Sequence, residues 1–89
     1  MTSGIELIAA ERQRQIDEEG YGIEHDSNLQ PDALASAAVV YAMPEKYGQL
    51  LAFWPWDLSH YKPKDRLTNL IRAGALIAAE IDRLQGEQE

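Results

Sequence analysis

KDRLTNLIRAGALIAAEIDRL, residues 64–84, decides the fold of this chain. Leu67, Leu70, Ile71, Gly74, Ile77, Ala78, Ile81 and Leu84 recur at spacings of three and four. That recurrence traces one face of an α-helix about six turns long. Arg72 and Arg83 fall on the other side. Pro63 suits the first turn, where a missing N–H costs nothing, and Gly86 marks the stop. The middle of the helix is small, at Ala73, Gly74, Ala75, Ala78 and Ala79. A glycine inside a helix costs about 1 kcal/mol against alanine, so a second helix in close approach is expected there. This helix is therefore predicted to be the hub on which every other element packs, with its apolar stripe turned to the core.

Two more helices surround it. Ser3 and Glu6 form a Ser-x-x-Glu capping box that opens a first helix over residues 4–19. Ile5, Ile8, Arg12 and Ile16 share one of its faces, with Leu7 and Ala9 alongside. Glu11 is placed to pair with Arg14 or Gln15 along the surface. Gly20 is expected to end the helix. Residues 20–30, GYGIEHDSNLQ, have no helical period and read as a loop. Pro31 and Asp32 then start a second helix that runs to about Met43, where Pro44 stops it. Its Ala33, Ala35, Ser36, Ala37, Ala38 and Ala42 suit close packing on Gly74 and Ala78. Residues 44–63 form an irregular connection, with a short helical turn expected within 45–53. Four of the seven aromatic residues, Phe53, Trp54, Trp56 and Tyr61, fall there within nine positions. The fold class is all-α: three main helices with an aromatic-rich connection between the second and third, in one domain over residues 1–89.

A chain of 89 residues buries a small core. It has no cysteine, so neither a disulfide nor a thiolate metal site reinforces it. Oligomerisation is the remaining common solution, and a homo-oligomer is expected. Leu76, outside the stripe and flanked by Ala75 and Ala79, is the predicted subunit contact. The formal charge of −7 and pI of about 4.7 argue against duplex nucleic acid, which calls for a basic face. No run is long and apolar enough to span a membrane, and no signal-peptide pattern opens the chain. The host cytoplasm is the expected location.

Three groups of side chains could carry chemistry. Lys62, Lys64 and Arg66 bracket the start of the last helix, where free N–H groups and the helix dipole attract anions. Three cations there are unfavourable until something negative binds, and Trp54, Trp56 or Tyr61 could stack on a base. Together they describe a nucleotide pocket, to which the loop adds Tyr21 and His25. The plainer alternative has the tryptophans capping the core and the lysines solvated or paired with Asp57 and Asp65. In the second group, Glu24-His25-Asp26, a histidine beside two carboxylates could bind a metal or act as a base; a hydrogen-bonded turn is the favoured reading. In the third, Glu11, Glu18, Glu80 and Asp82 could converge on Mg²⁺. Glu80 and Asp82 lie on opposite borders of the stripe, however, and solvated charges are favoured. There is no phosphate-binding glycine loop, nucleophile elbow or zinc-ligand spacing. No catalytic residue, metal or cofactor is assigned.

ERQRQIDEEGY at 11–21, EHD at 24–26, the alanine-rich second helix, WPW at 54–56 and KPKDR followed by AGALIAAEIDRL resemble a group of short helical proteins encoded by tailed phages and prophages. The match covers nearly the whole chain and is most specific over 54–84. The group has EGW where this chain has Gly20-Tyr21, HDD where it has His25-Asp26-Ser27, and Trp-Trp where it has His60-Tyr61. The resemblance implies a phage accessory protein. The expected function is noncatalytic binding of a phosphorylated nucleotide, as in an oligomeric anti-defence sponge for nucleotide signals. One alternative is a degenerate relative of the MazG-type, Mg²⁺-dependent nucleotide pyrophosphohydrolases. That type holds its metal with EExxE and ExxD spacings. Here Gly22 stands where the second Glu would follow Glu18-Glu19, and Glu80-x-Asp82 is one residue short. The other alternative is an inhibitor that blocks a host protein by surface mimicry, a role the negative charge would suit.

Overall fold

The computed structural model describes residues 2–19, 32–44 and 51–88. They form three α-helices and no strand: α1 (Gly4–Glu19), α2 (Ala33–Ala42) and α3 (Arg66–Gln88), with a 3-10 turn at Leu58–His60 before α3. The all-α architecture expected from the sequence is present. The expected stop at Gly20, the loop at 20–30, the start at Pro31 and most of the turn within 45–53 lie outside the described residues; a single 3-10 turn occupies 51–53.

Each helix begins or ends for a local reason. Glu6 N–H donates to Ser3 Oγ at 3.2 Å, and Ser3 N–H donates to Glu6 Oε1 at 3.4 Å, completing the capping box of α1. At the far end of α2, Met43 N–H donates to Val39 O at 3.1 Å, and Pro44 follows. The start of α3 differs from expectation. Pro63 lies before the helix and Asp65 caps it, accepting Thr68 N–H at 3.3 Å and the Thr68 hydroxyl at 2.6 Å. Gly86 does not stop α3, which continues to Gln88; a glycine weakens a helix interior without forbidding it.

α1 and α2 each pack on α3 and not on one another, so α3 is the hub. The face it turns inward is nevertheless not the expected one. Ala73, Ala75, Leu76 and Ala79 are buried, whereas Leu67, Leu70, Ile77, Ile81 and Leu84 are between 42 % and 61 % exposed. Leu76, expected at a subunit contact, is one of the two largest fully buried side chains. The reason lies in α2. Its Leu34, Ala37, Ala38, Val40 and Tyr41 form one buried cluster with Ala73, Leu76 and Ala79 of α3 and with Trp54. Small residues on both helices allow close approach, which raises packing density. The Leu/Ile stripe would hold α2 farther away.

The close approach at Gly74 comes from α1 rather than α2. A Cβ placed on Gly74 would lie 2.5 Å from Ile8 Cδ1 and 2.8 Å from Ile8 Cγ1. The methyl that alanine would add is therefore already replaced by Ile8. In Gly74→Ala, the gain of about 1 kcal/mol in helix propensity competes with an overpacking cost of about 1–3 kcal/mol. The expected result is a lower midpoint in thermal unfolding followed by circular dichroism. Adding Ile8→Ala should recover part of that loss, a non-additivity that marks direct contact. Additive effects would contradict the contact.

Candidate functional site

The aromatic connection folds as one cluster against α2. Trp54 is buried at its centre. Its ring stands edge-on to Tyr41 and to Trp56, each at a centroid distance of 5.4 Å, and lies 5.1 Å from Tyr61. The indole N–H of Trp54 donates to Asp57 O at 3.1 Å, which satisfies its one polar atom. Lys62 N–H donates to Tyr41 Oη at 3.0 Å, and Arg72 donates to Lys62 O. The Arg72 guanidinium also sits 5.9 Å from the centre of the Tyr41 ring. A path that looks irregular in sequence is thus tied at several points to α2 and α3.

The predicted ligand residues divide. Trp54, Trp56, Tyr61 and Lys62 come together. Lys64 and Arg66 do not join them. Asn69 grips the Lys64 backbone from both sides, accepting its N–H at 2.7 Å and donating to its carbonyl at 3.1 Å, while the Lys64 residue is exposed. Arg66 donates to Ala42 O at the end of α2, where a cation suits the exposed carbonyls. Trp54 caps the core and Lys62 and Lys64 are exposed to solvent, as the plainer reading had it. Tyr21, His25 and their neighbours Glu24 and Asp26 lie outside the described residues.

A shallow cleft open to solvent lies between α1, α3 and the aromatic connection and encloses about 20 Å³, room for about one water. Trp54, Trp56, Tyr41 and Leu76 supply its apolar wall; Glu11, Arg14, Gln15, His60, Lys62 and Arg72 supply the polar one. Three cations there face one carboxylate. Arg14 grips Glu11 with two bonds of 2.7 Å, and Gln15 Nε2 donates to the same carboxylate at 3.2 Å. Arg72 Nε is 4.0 Å from Glu11 Oε2, too far for a hydrogen bond. Gln15 Oε1 and Arg72 Nε are buried with no hydrogen-bond partner among the described residues. Such atoms are uncommon in a finished interior. Sequence reasoning missed Arg14, Gln15, Tyr41, His60 and Arg72 as members of a site. The available signal was Arg72 on the side of α3 away from the Leu/Ile stripe, which proves to be the inward side.

The carboxylates considered for Mg²⁺ are taken up by arginines. Glu11 and Glu18 meet Arg14, Glu80 meets Arg83 at 2.7 Å, and Asp82 lies 3.6 Å from Arg12. Among the described residues no three His, Asp or Glu side chains converge on a metal position. Comparison of the chain with family models, with curated protein sequences and with solved structures gives no match. No helix among the described residues is long and apolar enough to cross a membrane.

Burial pushes the Glu11 carboxyl up, but its bonds to Arg14 and Gln15 and the charges of Arg14 and Arg72 outweigh that, leaving it below its ordinary value of 4.5. A depressed carboxylate stabilises the fold above its unfolded pKa, and that contribution is lost as pH falls through the folded value. Wild type should therefore lose more thermal stability than Glu11→Gln as pH is lowered from 7 to 3. The variant should melt roughly 5 °C lower at pH 7, with the two curves converging in acid. Parallel curves would contradict a structural role for the ionised carboxylate.

Proposed function

We propose that the protein binds a phosphorylated nucleotide without chemically altering it, and that the cleft between α1, α3 and the aromatic connection is the seat of binding. The observation that carries this reading is the meeting of aromatic rings with Arg14, Lys62 and Arg72 around Gln15 Oε1 and Arg72 Nε, which are buried with no hydrogen-bond partner among the described residues. A nucleotide needs both halves of that wall. Its base is recognised by stacking on an aromatic ring, and its phosphates by guanidinium and ammonium groups. The cleft encloses far less than a typical ligand site, so a nucleotide would lie across its open mouth with most of its surface in solvent. Glu11 opposes phosphate entry, yet it also holds Arg14 in place at the rim.

The resemblance to phage and prophage proteins supplies the biological setting: sequestration of a nucleotide signal used by the host. The noncatalytic reading is favoured over a pyrophosphohydrolase because each candidate metal carboxylate is engaged by an arginine.

Native mass spectrometry with nucleoside triphosphates, cyclic oligonucleotides and ADP-ribose derivatives, with and without Mg²⁺, tests the reading. One class should be retained unaltered. Trp56→Ala and Lys62→Ala should each weaken its retention about tenfold, near 1.4 kcal/mol, with the helical circular dichroism unchanged. Retention equal to wild type in both variants would remove the cleft from consideration. Conversion of a triphosphate to monophosphate and pyrophosphate would replace binding with hydrolysis.

A further inference from the structure

We infer that two copies of this chain pair through the outer face of α3, antiparallel, and that this face is the second half of the protein's core. Leu67, Leu70, Gly74, Ile77, Ile81 and Leu84 follow one another at intervals of 3, 4, 3, 4 and 3. That is the heptad seam of a helix that meets another helix along its length. Among the described residues the Gly74 step is covered by Ile8. The other five side chains remain exposed.

The size of the surface fits a second copy. Those five residues, 42–61 % exposed, present on the order of 450 Å² of largely apolar area, and Ile8 of α1 adjoins them at Gly74. That is as large as the largest single patch of a typical monomer, which is often an interaction site. The strip would form the apolar centre of an interface to which each partner contributes roughly 800 Å², the rest coming from a polar rim. Ile8 fills the notch over Gly74, so the strip runs unbroken from Leu70 to Ile77.

Charge selects the antiparallel arrangement. Residues 62–66 carry three cations against Asp65, and residues 80–89 carry four carboxylates against Arg83. Lys64 and Arg66 lie at the start of α3, and Glu80 and Asp82 toward its end, where the helix dipole disfavours each. Antiparallel pairing brings the basic end of one helix against the acidic end of the other. It also matches Leu67 with the partner copy's position 84 and Leu70 with position 81, and in the same register sets position 77 against Ile8, which covers Gly74. Every layer then pairs an a position with a d position, and the two-fold axis passes near the centre of the strip. Contacts of this kind are self-complementary, as a closed dimer requires. The inference stands independently of the nucleotide reading.

Sedimentation velocity of the full chain reads the outcome. The expected species has twice the 10.0 kDa chain mass. Ile77→Lys together with Ile81→Lys should yield a monomer with unchanged helical circular dichroism, because both side chains lie outside the protomer's own core. Orientation is read by oxidative cross-linking, since the chain has no cysteine of its own. Leu67→Cys mixed with Leu84→Cys should give a linked pair. Neither should link to itself, because like positions lie about 25 Å apart along the helices. A wild-type monomer, a dimer that survives the double lysine variant, a larger ring, or a different protein bound to the strip in place of a second copy would overturn the inference. Self-linking of Leu67→Cys would overturn the antiparallel arrangement.

Discussion

α3 has two apolar sides, and among the described residues one of them is covered while the other is left exposed. The rest of the structure follows from which side is covered. Ala73, Ala75, Leu76 and Ala79 face inward because α2 is built of small residues and can come close to them. The larger Leu and Ile side chains are left on the outside. Burial contributes about 25 cal/mol per Å² of apolar surface, so the uncovered strip is a substantial reserve for association. Gly74 belongs to both sides of this account: it lies on the outer strip, yet Ile8 of α1 closes over it.

The same choice of face shapes the cleft. With the alanine side inward, Arg72 is carried beneath the aromatic connection. There it holds the Lys62 carbonyl, approaches the Tyr41 ring and faces Glu11 of α1. Had the Leu/Ile stripe faced inward, Arg72 would project into solvent and the cleft would lose one of its walls. The aromatic cluster therefore has a structural part and a part open to ligand. Trp54 belongs to the core, with its N–H satisfied, whereas Trp56 and Lys62 stand at the cleft.

Helix identity was largely legible in the sequence, because capping boxes, proline stops and a 3.6-residue period are local signals. The capping box at Ser3 and Glu6 and the role of α3 as hub were read from residues alone. The inward face of α3 was not. A stripe of Leu and Ile signals burial against something, and periodicity does not say whether that something is the same chain or another. The alanine side looked weaker because hydrophobicity scales reward bulk, whereas close helix packing rewards smallness. For the site, Trp56 and Lys62 were legible from the clustering of aromatic and basic residues after Pro44. Arg14, Gln15 and Arg72 were not, since they reach the cleft only through the way α1 and α3 pack. Lys64 and Arg66 were drawn into the predicted pocket by proximity in sequence, and the turn at Asp65 and the reach of Arg66 to Ala42 O direct them elsewhere.

The central claim is that α3 keeps its alanine side within the chain and offers its Leu/Ile side to a second copy. An isotope-filtered NOE experiment tests it most directly, on a sample mixing labelled and unlabelled chains with Leu and Ile methyl groups observed. Leu76 methyl groups should show contacts only within their own chain, to side chains of α2, while Ile77 and Ile81 methyl groups should show contacts between chains. Contacts between chains at Leu76, with Ile77 and Ile81 in contact with α2 of their own chain, would contradict the account.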